Sequence, residues 1–149
     1  MGTGIVGARS SGTVATCVAI GSRAVLIEGA PGCGKSTLAL MLIDRGARLI
    51  GDDSVLLEAT GQHLFASPHP NTRGLIEVRN LGLVRMPVCE SAAVSLVLRL
   101  DDAAPRYIEC AQTVMIEGIS VPMLRLRPDS PALAIKAELA LDRFALEEK

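Results

Sequence analysis

Lys35 and Ser36 follow three closely spaced glycines, Gly29, Gly32 and Gly34, in the run Gly29-Ala30-Pro31-Gly32-Cys33-Gly34-Lys35-Ser36-Thr37. This is a GxxxxGK pattern followed by Ser. The glycines let the backbone fold close enough for successive N–H groups to face phosphate oxygens, and a helix starting near Lys35 adds its positive end. Lys35 supplies a point charge for the β- and γ-phosphates, and the Ser36 hydroxyl is placed to ligate the Mg²⁺ that bridges them. The natural occupant is a nucleoside triphosphate. Cys33 sits at a position that tolerates many residues, and its expected contribution is a backbone N–H.

Phosphoryl transfer to a hydroxyl also needs a carboxylate near the metal and a base for the hydroxyl proton. Asp52 and Asp53 return 16 and 17 residues after Ser36, far enough for a helix to run out and the chain to come back alongside the phosphate loop. Alternation along an extended chain aims one of them at the γ-phosphate and the other away. An ordinary Asp-Asp-Ser turn fits the same letters. Glu77 and Arg79 stand two apart on an expected strand and so share a face, where they could hold Mg²⁺ and phosphate respectively. On the letters alone, a solvent-exposed ion pair explains them more simply. His63 and His69 are isolated.

Several elements must position these groups. Thr13 to Ile20 and Ala24 to Glu28 are apolar and β-branched, and read as two strands turning at Gly21-Ser22 and leading into the loop. The following helix places Leu38, Leu42 and Arg45 on one side, with Ala39, Met41 and Ile43 burying most of the rest. Gly46 ends it as a C′ glycine. Further strands are expected at Arg48 to Ile50, Val55 to Ala59, His63 to Ala66, Leu75 to Arg79 and Leu81 to Val88, with a loop from Ser67 to Gly74. In the second half, strands are expected at Ala92 to Leu100, Arg106 to Cys110, Thr113 to Glu117 and Ser120 to Leu126. A last helix starts with Ser130 as N-cap and Pro131 at its first position, and runs to about Leu146. One early helix, a strand-rich middle and one late helix do not make a regular βαβ series. They predict an α/β domain with a mixed sheet.

Composition narrows the choice further. A chain of 149 residues makes one domain, here residues 13–149 behind a loose Gly- and Ser-rich tail, 1–12, that has no signal-peptide core. Hydrophobic residues make up 49% of the chain and aromatics only 2%, with no Trp, so the core is aliphatic and offers little for stacking single-stranded nucleic acid. A net charge of −1 with no basic run argues against nucleic-acid or membrane surfaces. Four cysteines without metal-ligand spacing suggest reduced, mostly buried thiols in a cytoplasmic protein.

Three linked stretches, GAPGCGKST, RGARLIGDDSV and GLIEVRNLG, in this order and spacing, resemble the C-terminal kinase domain of HPr kinase/phosphorylase. The resemblance runs from about Thr13 to the last helix. It implies a P-loop fold related to phosphoenolpyruvate carboxykinase, usually hexameric. The implied activity is ATP- and Mg²⁺-dependent phosphorylation of a serine on HPr, the small phosphocarrier of the sugar phosphotransferase system. It assigns Lys35 as the active-site lysine, Ser36 as a metal ligand, Asp53 as the base in phosphorylation and the acid in the reverse reaction, and Glu77 as a second metal ligand. Asp52 is a further candidate for the metal, and Arg79 for the transferring phosphate. Val14 stands where the family often has an active-site histidine, and Asn80 where its signature has glycine, a milder change because Asn tolerates positive φ. The family's amino-terminal regulatory domain has no counterpart here, as in short family forms. The stretch PMLRLRPDSP matches the family's proline- and arginine-containing loop only loosely, and Arg106, Arg125 and Arg127 are candidates for a substrate- or phosphate-contacting arginine, with a plain surface charge fitting each equally well. A small-molecule kinase on the same scaffold and a catalytically silent nucleotide-binding regulator are the alternatives.

Overall fold

The computed structural model describes residues 3–5 and 15–145, and Val14 therefore lies outside the described residues. The core is a mixed sheet built around β3 (Arg23–Glu28), β9 (Ala92–Leu100) and β11 (Ile119–Leu126), which run parallel to one another with β9 in the middle. Antiparallel strands extend it on both sides. β2 (Thr16–Ile20) and β4 (Arg48–Gly51) lie beyond β3, while β5 (Val55–Thr60) and β6 (His63–Pro68) join through β6 to the start of β9. β10 (Gln112–Ile116) closes a hairpin on β11, and β1 (Thr3–Ile5) pairs with β5. The expected mixed α/β architecture is therefore what the chain adopts.

β3 and β9 are apolar on both faces because both faces are covered. Val25 and Ile27 of β3 and Leu96, Leu98 and Leu100 of β9 pack with Leu38 and Leu42 of α1 (Lys35–Asp44) and with Leu133, Ala137 and Leu141 of α2 (Leu133–Phe144). The opposite face gathers Cys17, Ala24, Leu26, Val97, Val121 and Met123 with residues of β5 and β6. Val94 and Val97 share that second face although three positions separate them. A bulge between β3 and β9 permits this, because Ala24 pairs with Val94 and Val25 with Leu96, leaving Ser95 as the extra residue.

Some elements depart from the sequence expectation. Thr3–Ile5, placed in a loose tail, is a strand. Arg106 to Cys110 is irregular, and the pairing with β11 begins only at Gln112, opposite Met123. α2 begins at Leu133, not at Pro131; Ser130 makes a preceding turn in which its Oγ accepts from the Ala132 N–H at 3.1 Å. β6 runs on to Pro68, shortening the loop expected from Ser67. Arg45 does not share the buried side of α1: it caps the helix C-terminus and swings out to Glu138 at 2.8 Å, while Gly46 takes φ 110 as the expected terminator. Of the cysteines, only Cys17 is fully buried, and burial pushes its thiol pKa up; Cys110 is exposed. No described helix is long and apolar enough to cross a membrane.

β7 (Leu75–Val78) and β8 (Gly82–Arg85) form a separate antiparallel hairpin. Ile76, fully buried, anchors it to the α1 side of the core. Asn80 sits in its turn at φ 75, the left-handed region that Asn tolerates better than most residues.

Candidate active site

The phosphate loop leaves β3 at the carboxyl edge of the parallel strands, where α/β sheets place their ligands. Gly29 is packed tightly: a Cβ there would lie 2.4 Å from the Cys33 Sγ and 3.2 Å from the Leu100 carbonyl. The Cys33 N–H turns inward to the Ala30 carbonyl at 3.1 Å, so it closes the loop on itself and is not offered to a ligand as the sequence suggested. Gly34 has open space around it and a different requirement, because it sits at φ 108 and directs the first turn of α1. Gly34→Ala therefore adds left-handed strain of ~1–2 kcal/mol. A free loop that relaxes to escape this strain must take it up again to close on phosphate, so we expect nucleotide binding to weaken by up to about tenfold in calorimetry.

Lys35 is 7% exposed, and its Nζ donates to the carbonyls of Gly29 at 3.1 Å and Ala30 at 3.3 Å. The ammonium is thereby held over the loop. Ser36 points the other way, and its Oγ donates to Asp52 Oδ1 at 2.6 Å. The same oxygen accepts the Thr16 hydroxyl at 3.1 Å, and Oδ2 accepts the Glu77 N–H at 3.0 Å. Asp52 thus ties α1, β2 and β7 together.

Asp53 faces the other way, into a cavity of about 670 Å³. Pro31, Gly32, Gly34 to Thr37 and the hairpin from Glu77 to Gly82 also line this cavity. The expected division between the two aspartates is present, but a tight turn produces it, with Asp53 at φ 61 rather than extended. Burial raises the Asp53 carboxyl pKa; Asp52 and Glu77 raise it further, and Lys35 opposes them. Glu77 and Arg79 both reach the cavity, though Arg79 lies in the hairpin turn and not on the strand. Among the described residues the two form no ion pair with each other, so the simpler surface-pair explanation fails. Gly29, Ala30 and Cys33 form the turn beneath the cavity lining.

Sequence reasoning overlooked two contributors. Thr16 is a single hydroxyl in an apolar strand, visible only as one polar letter in TCVAI. Arg99 donates through Nε and Nη2 to Glu28 Oε1 at 3.2 and 2.9 Å, clamping the ends of β9 and β3 just before the loop. Arg106, Arg125 and Arg127 do not line the nucleotide-sized cavity. Arg125 pairs with Asp101 at 3.5 Å, and the Arg127 Nε donates to the Ala104 carbonyl at 3.0 Å. His63 is exposed at the start of β6, and His69 accepts from the Asn71 N–H in a loop.

The donor set suits a hard divalent cation. One hydroxyl and a nearby carboxylate, completed by phosphate oxygens and water, are what Mg²⁺ accepts. Ser36 and Glu77 would hold it directly. Both oxygens of Asp52 are engaged with protein donors, which fits a carboxylate that orients Ser36 from behind.

Comparison with known proteins agrees with this geometry. The profile of the HPr Serine kinase C-terminal domain family matches residues 8–124. The HPr kinase/phosphorylase of Exiguobacterium sp. (strain ATCC BAA-1283 / AT1b) is 34% identical over 138 residues, covering 83% of this chain and 44% of that protein. That of Clostridium novyi (strain NT) is 36% identical over 138 residues, covering 82% of this chain and 45% of that protein. The chain therefore spans a little under half the length of these curated relatives. The solved structure of the Hpr(Ser) kinase/phosphatase from Coxiella burnetii superposes with a TM-score of 0.77 at 27% identity, covering 87% of this chain and 92% of that one. A phosphate loop, a paired-aspartate turn and a glutamate-bearing hairpin around one cavity, joined to these likenesses, place the chain in the HPr serine kinase C-terminal domain family.

Proposed function

We propose that this protein is an ATP- and Mg²⁺-dependent kinase that phosphorylates a serine of HPr, and so regulates carbohydrate utilisation through the phosphotransferase system. The observation that carries the reading is the convergence of Lys35, Ser36, Asp53 and Glu77 on one cavity large enough for the phosphate end of a nucleotide. Three different segments deliver these four side chains.

In this reading Lys35 and the loop N–H groups hold the β- and γ-phosphates, and Arg79 in the hairpin turn faces the transferring group. Ser36, oriented by Asp52, and Glu77 hold Mg²⁺, which supplies positive charge against the phosphate oxygens. Asp53 takes the proton of the incoming seryl hydroxyl. The seryl oxygen bonds to the γ-phosphorus as the bond from that phosphorus to the β–γ bridging oxygen breaks, and ADP leaves. The raised pKa of Asp53 strengthens it as a base relative to an exposed aspartate. Residues 13–149 acting as one kinase domain, a cytoplasmic location and hexameric assembly belong to the same proposal, on the strength of the resemblance.

Incubation with HPr and Mg·ATP followed by mass spectrometry tests it, with Lys35→Ala as control. One phosphate on one HPr serine, absent with the variant, is the expected result. Mg·ATP binding without modification of HPr would overturn the reading. Transfer to a metabolite would then mark a small-molecule kinase, and binding alone a regulatory protein.

A further inference from the structure

Thr16 is wholly buried, and of the buried polar residues only Lys35 and Ser95 keep it company among the described positions. It opens β2 between Ala15 and Cys17, which face the second cluster, and stands opposite Ile27 of β3 on the α1 side of the sheet, where valine would match its shape and bury no hydroxyl. A buried hydroxyl costs stability unless it is hydrogen-bonded. The Thr16 hydroxyl is used twice, and both times by the paired-aspartate turn: it donates to Asp52 Oδ1 at 3.1 Å and accepts from the Asp53 N–H at 3.4 Å. The pairing of β2 with β4 shifts register between Cys17 and Val18, so that Cys17 lies opposite Gly51 and Thr16 comes beside the two aspartates that follow.

One oxygen thus touches the side chain of the carboxylate behind Ser36 and the backbone of the residue that faces the cavity. Asp53 holds φ 61, a conformation that persists in a non-glycine residue when its surroundings enforce it. We propose that Thr16 is a positioning residue: its hydroxyl clamps Asp52 and Asp53 in one arrangement, fixing the metal-side carboxylate and the base together. The inference rests on the kinase reading above for the meaning of "base", and on hydrogen-bond geometry alone for the clamp.

The test compares Thr16→Val and Thr16→Ser, scored by calorimetric Mg·ATP affinity and by kcat, KM for HPr and Mg²⁺ half-saturation in the transfer assay. A clamp predicts that Val lowers kcat about tenfold or more and weakens Mg·ATP binding several-fold, leaving KM for HPr unchanged, because a lost hydrogen bond to a charged group acts on the site alone. Ser, which keeps the hydroxyl, returns both quantities to within about twofold of wild type. A packing role predicts the reverse order, with Val harmless and Ser impaired by the missing methyl, and that order overturns the proposal. Should Thr16→Val not fold, Thr16→Ala removes the same hydroxyl and is read the same way. If the wild-type protein leaves HPr unmodified, the kinase reading has failed, and the order of the Mg·ATP affinities still decides the clamp.

Discussion

Asp53→Asn is expected to bind Mg·ATP with nearly wild-type affinity and to transfer phosphate ~10²–10⁴-fold more slowly, the usual contribution of a positioned base. Asn keeps the size of the side chain and is at home at φ 61, so the turn that carries it survives. The loop and Ser36 have no hydrogen bond to the Asp53 side chain to lose, since Lys35 rests on loop carbonyls and Ser36 on Asp52. Stability should move in the opposite direction from activity. Burial first, and then the Asp52 and Glu77 carboxylates, raise the Asp53 pKa in the folded protein despite Lys35. Because the native state then holds this proton more tightly than the unfolded chain, Asp53 costs stability as pH rises from its ordinary pKa through the raised one, and the cost persists above. Asp53→Asn lacks that cost. Its melting temperature should therefore exceed that of wild type at neutral pH, with the gap narrowing on acidification below the ordinary carboxylate range. Calorimetry, transfer rates and melting curves at two pH values check all three statements. Equal loss of binding and transfer would show that Asp53 does not act as the base.

The phosphate loop was legible because its chemistry lies in consecutive residues: glycines, Lys35 and Ser36 act where the chain puts them, with a strand before and a helix after. The parallel β3–β9–β11 core was legible only as apolar runs. Its order depends on which edge of β9 each neighbour takes, and periodicity carries no such information. Glu77 and Arg79 could be paired by spacing, yet spacing alone favoured a surface ion pair. What moves them into the site is the hairpin as a body, held to the core by buried Ile76.

Asp52 and Asp53 show where local rules stop. Alternation predicts opposite directions, and opposite directions are what the structure has, but the turn at φ 61 and the hydrogen bonds from Thr16, Ser36 and the Glu77 N–H produce them. All three partners come from elements distant in sequence, so the letters around Asp52 do not show that both of its oxygens accept hydrogen bonds from the protein. Arg106 to Cys110 fails for the complementary reason: its alternation is real, but alternation does not supply a partner, and the chain joins β11 only from Gln112 onward.

Lys35→Ala should reduce transfer by on the order of 10³-fold or more, because it deletes a buried, preorganised charge held at the phosphate loop. Its effect on affinity should be smaller, about tenfold. The reason lies in what the ammonium does before phosphate arrives. It is already satisfied by the Gly29 and Ala30 carbonyls, at 3.1 and 3.3 Å, and must exchange these for phosphate oxygens. The ground-state complex therefore gains only the difference between neutral and charged acceptors, whereas the charge developing during transfer meets the full field of the lysine. Folding should survive the change, since the loop retains the bond from the Cys33 N–H to the Ala30 carbonyl and the first α1 bond from the Leu38 N–H to the Gly34 carbonyl. Lys35→Arg should not rescue transfer: the guanidinium is a broad planar fork, and the space over the loop that Lys35 fills at 7% exposure is shaped for a point charge on a flexible stem. Transfer and Mg·ATP affinity measured side by side for Ala and Arg check the argument. An alanine variant that transfers phosphate at the wild-type rate, or an arginine variant that restores it, would place the phosphate charge elsewhere in the cavity, with Arg79 the next side chain to remove.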